Sequence, residues 1–210
     1  MMKLIHKMPQ SDEQKHLELI DHGWILLKEP KTFLLIIIVS IPLMIINTLI
    51  CLGAIHIFSD ITFQEFGIAS VPFTITIDLG VILGIFLILV IHELIHLMFV
   101  PNFIKSRQTF IGLTIFGGFV YTEEEISKTR YIIITIAPFI ILSILLPIIL
   151  GLFGLLTTTL KFFILLNAAS SSVDMFILFL LLSQVPKDSI LKSNGMKTYW
   201  KSSRASETNA

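Results

Sequence analysis

His92-Glu93-Leu94-Ile95-His96 carries the residue types and spacing in this chain best suited to chemistry. On a helix the two histidines are one turn apart and project from one face, where their imidazoles can share a metal ion. Glu93 sits one residue round, beside such an ion rather than on it, and suits a group that takes a proton from an activated water. With the six His and the glutamates present, His-Glu-x-x-His arises by chance in about one such chain in a hundred. The surrounding residues are apolar, and ionisable groups in hydrocarbon cost several kcal/mol each, so the cluster reads as a functional site by default. The simpler reading is a pair of polar-network histidines in a bundle core.

Composition sets the surroundings. The 210 residues are 54% hydrophobic and 14% charged, with a mean hydropathy of +0.88, which predicts an integral membrane protein. Net charge is zero, which argues against a nucleic-acid partner. The one cysteine, Cys51, excludes an intrachain disulfide or a cysteine-rich metal cluster, so metal ligands must be nitrogen and oxygen. The charged N-terminus lacks a signal peptide's short apolar core, which leaves insertion to the internal segments.

Four apolar stretches, at about 33–55, 76–100, 131–155 and 162–183, are each long enough to cross a core of about 30 Å. Pro42, Pro138 and Pro147 predict kinks in the first and third, and Pro101 a stop just after the second. Fourteen of the fifteen Lys and Arg fall on one side of a four-span arrangement, Lys161 being the exception. By the positive-inside rule both termini are then cytoplasmic.

The predicted fold is an all-α polytopic membrane protein, with four transmembrane helices, an N-terminal interfacial helix and a short cytoplasmic β-hairpin between helices two and three. Residues 1–32 form a cytoplasmic or interfacial segment, 33–183 the membrane domain and 184–210 a disordered, Lys- and Ser-rich cytoplasmic tail. Within the first segment, residues 11–28 predict an amphipathic helix. Ser11 and Gln14 form its capping box, and Trp24 lies at headgroup level. Residues 109–121 alternate and are rich in β-branched and aromatic types, with Gly117-Gly118 offering the hairpin turn; a membrane-hugging loop is the alternative. Glu123, Glu124 and Glu125 read as a solvated edge, and Thr122 as an N-cap on the way into the third span.

Two histidines do not complete a catalytic zinc site, which usually has three protein ligands and an open position. Apart from Glu93, Asp174 is the only carboxylate well inside a predicted span. Counting 1.5 Å per residue from the outer ends puts the histidines roughly 24 to 30 Å along their span and Asp174 roughly 18 Å along its own, a gap that tilt or a broken helix could close. Asn167 lies two turns before Asp174 on nearly the same face, with Ser170 and Ser171 between them. A helix-packing patch with a hydrogen-bonded aspartate is the alternative reading. Asp78 and His56, near the outer ends of spans, read as structural.

Together, His92-Glu93-x-x-His96 at the end of one span and Asn167 with Asp174 in a later one resemble the site-2 protease superfamily of intramembrane zinc metalloproteases. More narrowly the chain is similar to a small bacterial family of zincin peptidases. The segment 126–139, ending in Ala137-Pro138-Phe139, also resembles that family's third-span entrance. The likeness runs over about 24–183. It implies Zn²⁺ held by His92, His96 and Asp174, Glu93 as general base, and Asn167 as a residue that holds substrate or stabilises an oxyanion. It further implies a multi-pass protein of a bacterial cell membrane that hydrolyses peptide bonds of membrane-embedded proteins or peptides, with room for a regulatory partner. Better-known members follow their asparagine with prolines and end in Asp-Gly, whereas here Ala and Ser intervene and Met175 follows Asp174. The rival readings are a catalytically silent metal-binding scaffold or regulator and, less well matched to four spans without an internal repeat, a metal-ion or proton transporter.

Overall fold

A computed structural model describes residues 3–5, 10–30, 32–66, 78–114 and 117–203. In chain order the elements are β1 (Lys3–Ile5), α1 (Glu13–Asp21), β2 (Ile25–Leu26), α2 (Phe33–His56), a 3-10 turn (Phe63–Phe66), α3 (Leu79–Phe99), β3 (Thr109–Thr114), β4 (Gly117–Thr122) and β5 (Ile126–Ser127). They continue with α4 (Lys128–Pro138), a π-helical segment (Phe139–Leu145), α5 (Leu146–Leu152), α6 (Thr158–Ser170), α7 (Ser172–Gln184), β6 (Ser189–Asn194) and β7 (Lys197–Ser202).

Four helical stretches are long and apolar enough to cross a membrane: Leu34–His56, Leu79–Phe99, Lys128–Leu152 and Thr158–Gln184. The residues expected to begin the second span, from Thr76, lie outside the described ones. Exposed side chains such as Leu34, Ile38, Ile45, Leu83 and Phe86 coat the outer faces with hydrocarbon, compatible with a multi-pass membrane protein. Polar caps start the helices. Thr32, Asp78, Ser127 and Thr157 accept from the backbone N–H of Leu35, Gly80, Arg130 and Leu160. Asp78 is thus a cap, and Ser127 takes the role expected of Thr122, which instead ends β4 opposite Thr109.

Inside the bundle, α2 lies against α6 and α7, and α3 against α4. One cluster joins Cys51 and Ile55 of α2 to Phe139, Ile164 and Ala168; another joins Ile88 and Ile95 of α3 to Ala137 and Leu142. Lys161, 4% exposed, points inward rather than into water, bonding Glu65 at 2.9 Å and the Asp60 carbonyl at 2.7 Å, which ties the loop after α2 to α6.

At the end of the bundle where the chain re-emerges from α3 and α7, two small sheets form. β1 pairs in parallel with β3, which pairs antiparallel with β4; the second sheet has the order β2-β7-β6-β5, all antiparallel. The paired strands start at Gly117, matched to Thr114, so the two glycines begin β4 and the turn between the strands lies outside the described residues.

β6 and β7 correct the expected disorder of the tail. Residues 189–202 form a two-stranded hairpin around Asn194-Gly195-Met196-Lys197, with Gly195 at φ +59, a left-handed conformation that glycine adopts without strain. Residues 204–210 lie outside the described ones. The hairpin is anchored at its tip. The Asn194 carboxamide spans the backbone of Asp12, and the Gly195 N–H donates to the Tyr121 hydroxyl, which donates in turn to Glu123. Burial and this carboxylate hold the Tyr121 hydroxyl protonated well above its ordinary range. The glutamate run is correspondingly paired rather than only solvated: Glu123 with Lys15, Glu124 with Ser106 and Glu125 with Lys192.

The N-terminal helix is also shorter than the expected 11–28. Asp12 rather than Ser11 caps it, accepting from Gln14 and Lys15 N–H, and Gly23 at φ +77 turns the chain into β2. Trp24, 7% exposed, packs with Leu19 and Tyr199 against the second sheet.

Candidate metal centre

The site begins with the His-Glu-x-x-His stretch in the last turns of α3. His92 and His96 are buried and their Nε2 atoms lie 3.2 Å apart. Asp174, in the first turn of α7, closes the group: its two carboxylate oxygens lie 3.2 Å from His92 Nε2 and 3.4 Å from His96 Nε2. Among the described residues these three are the group of His, Cys, Asp or Glu placed to share one metal ion.

What faces the centre follows from what lies behind it. The Asn167 Nδ2 donates to Ser143 Oγ at 2.8 Å and to the Pro138 carbonyl at 3.3 Å, which aims its Oδ1 at His92 Nδ1, 2.9 Å away. An amide oxygen can only accept, so the proton sits on His92 Nδ1. His96 Nδ1 likewise donates to the Ile134 carbonyl at 2.7 Å. As neutral rings, both present a bare lone pair at Nε2. Two such lone pairs converging with a carboxylate repel one another unless a cation sits between them. Donors bonded at about 2.0 to 2.1 Å to a tetrahedral zinc stand roughly 3.3 Å apart, and these match that spacing.

Pro138 explains why the Ile134 carbonyl is available. In a regular helix that carbonyl would accept the N–H of the residue four positions on, and proline has none. The proline expected to kink the third span thus also frees an acceptor for His96, and the π-helical segment after it brings Ser143 up to Asn167. Replacing Pro138 with alanine restores a competing N–H, and Asn167→Ala removes the His92 acceptor. Both variants should bind zinc about 10- to 100-fold more weakly in a chelator competition, the range seen when partners of metal-bound histidines are lost. Wild-type affinity in both would show that these carbonyls do not set the rings.

The helix carrying Asp174 is broken without proline. Between α6 and α7, Ser171 adopts φ −67 and ψ 1, and the Asn167 carbonyl accepts from Ser171 N–H, Ser171 Oγ and Ser170 Oγ at 2.9 to 3.0 Å. Serine hydroxyls that bond back to a carbonyl bend helices. Here they supply the break, and Asp174 comes within 3.4 Å of both imidazoles.

Of the residues singled out from sequence, the structure brings His92, His96, Glu93 and Asp174 to one cavity of about 360 Å³. Asn167 is 1% exposed and its carboxamide is used on His92, Pro138 and Ser143, so it stands behind a histidine rather than in the cavity, where a substrate or oxyanion contact would be. The fourth wall comes from residues that sequence alone did not single out. Gly118 of β4 packs on Glu93 so closely that an added Cβ would lie 2.3 Å from the Glu93 Cγ. Gly118 had been visible only as half of a turn pair, since its partner on α3 is remote in sequence. Glu29 from the segment after β2, Tyr131 from α4 and Thr198 from β7 also line it.

No curated protein and no solved structure matches the chain. A family model described as Putative zincin peptidase matches residues 85–190, half of the 210 residues. That stretch holds both histidines, Glu93, Gly118, Pro138, Asn167 and Asp174. By this match, which takes in every donor of the centre and the residues that aim them, the chain belongs to the Putative zincin peptidase family.

Proposed function

We propose that the protein is a zinc-dependent endopeptidase of the site-2 protease type, hydrolysing peptide bonds of membrane-associated substrates. The observation that carries this reading is the convergence of His92 Nε2, His96 Nε2 and Asp174 with Glu93 on one cavity wall. His92, His96 and Asp174 are the zinc ligands. A zinc ion there supplies Lewis acidity, polarising a carbonyl and acidifying a water.

The chain's own residues do the rest. Glu93 takes the proton from the attacking water and delivers it to the leaving amine as the C–N bond breaks. Asn167 and the Ile134 carbonyl hold the rings in the tautomer that ligates. β4 is an edge of its sheet among the described residues, and it runs beside Glu93. A substrate unwound from its helix can pair with that edge as an added strand, which would present its backbone to the centre. The apolar walls, including Leu89, Ile134, Val173 and Ile177, limit the water that competes for the charges.

The distribution of Lys and Arg supports a cytoplasmic side for the sheet end of the bundle and both termini, and the family resemblance supports a bacterial cell membrane. A comparison of membrane proteomes from cells expressing the wild type and Glu93→Gln tests the function. Fragments of membrane proteins that appear with the wild type alone support it, and identical fragment sets overturn it.

A further inference from the structure

The cavity carries a third carboxylate that hydrolysis does not use. The Leu27 N–H extends the β2 to β7 pairing by donating to the Thr198 carbonyl at 2.8 Å, and two residues on, half-buried Glu29 lines the cavity beside Thr198 and Tyr131. Its carboxylate accepts from Thr198, whose hydroxyl also reaches Tyr131. The described residues that line the cavity include Glu29, Glu93 and Asp174 and neither Lys nor Arg.

Charge balance makes Glu29 the group left over. His92 and His96 bind zinc as neutral ligands with Asp174, and Glu93 serves the water, whereas Glu29 stands on a lining whose described residues include no Lys or Arg to offset it. When ionised, Glu29 carries a negative charge on a mostly apolar lining, where a counter-ion is favoured. Burial, against the lowering effect of the Thr198 hydrogen bonds, pushes the Glu29 carboxyl up to about 7. The complement is a substrate cation. Membrane proteins carry Lys and Arg where their spans leave the cytoplasmic face, so a segment reaching this cavity from the bilayer brings such a side chain with it.

We propose that Glu29 is a specificity-determining residue that receives a Lys or Arg side chain of the substrate, so that the preferred substrate is a juxtamembrane segment with a basic residue near the scissile bond. This rests on the peptidase reading of the same cavity.

The test measures binding on zinc-loaded Glu93→Gln protein in detergent, which holds substrate without turnover. The probes are N-acetylated, dye-labelled apolar peptides in which one residue, moved along the sequence, is lysine or the neutral norleucine. At one or more positions the lysine peptide should bind about 10-fold tighter, close to 1.4 kcal/mol. Adding Glu29→Gln should bring the ratio to about one, and Glu29→Asp, which keeps the charge should the glutamine variant not fold, should retain most of it. No lysine preference at any position, or a preference that Glu29→Gln leaves intact, overturns the assignment. A wild type that cleaves peptides without a Glu29-dependent preference fails this inference alone. A wild type that cleaves none fails the peptidase reading, while the binding ratio still decides the role of Glu29.

Discussion

Glu93→Gln should abolish turnover while leaving zinc in place. The substitution keeps the size and hydrogen-bonding reach of the side chain but removes the group that takes and returns a proton. General-base catalysis contributes about 10²- to 10⁴-fold, and at about 10³ the barrier rises by roughly 4 kcal/mol. Glu93 is not among the converging donors, so metal content should stay at the wild-type level. Initial rates on a peptide or membrane-protein substrate, measured beside zinc content on the same preparations, check both halves. Retained turnover would remove Glu93 from the chemistry, and lost zinc would make it part of the binding site.

Gly118→Val should have an effect of similar size by moving Glu93 rather than replacing it. Any side chain at this position places its first carbon 2.3 Å from the Glu93 Cγ. That contact can be relieved only if Glu93 swings away or β4 retreats from α3. The first displaces the proton acceptor, and the second opens the edge that a substrate strand would use. Misplacement of a catalytic group by about 1 Å costs on the order of 10²-fold, and loss of the strand adds to it. Zinc binding should survive, because the donors and the carbonyls behind them come from α3, α4, α6 and α7. The expected signature is a stoichiometric zinc protein with turnover down at least about 100-fold. Wild-type rates in Gly118→Val would show that β4 does not set the position of Glu93.

The site was legible in the sequence where its chemistry is rare. His92, Glu93 and His96 stand out because apolar spans carry few ionisable groups, and Asp174 because it is the other carboxylate at depth. The four long apolar helices were legible because their composition declares them before packing does. Less legible was whatever depends on contacts distant in the chain. Pro138 announces a kink, but that the freed Ile134 carbonyl meets His96 is decided by how α3 lies against α4. Asn167 lies on the right face to join Asp174, yet its place behind His92 is set by Ser143 on the π-helical segment.

The C-terminal hairpin had a local signal that its composition hid. Asn194-Gly195 between alternating residues is a strong hairpin turn, but the lysines and serines around it read as a solvated tail. Those strands close one wall of the cavity through Thr198, and through β2 they bring Glu29 to it.

The proposed function stands on one zinc ion held jointly by His92, His96 and Asp174. Metal content of the detergent-purified protein, for the wild type and for His92→Ala, His96→Ala and Asp174→Ala, tests it most directly. One zinc per chain in the wild type and substoichiometric zinc in each variant is the predicted result. Stoichiometric zinc that survives all three substitutions would contradict it.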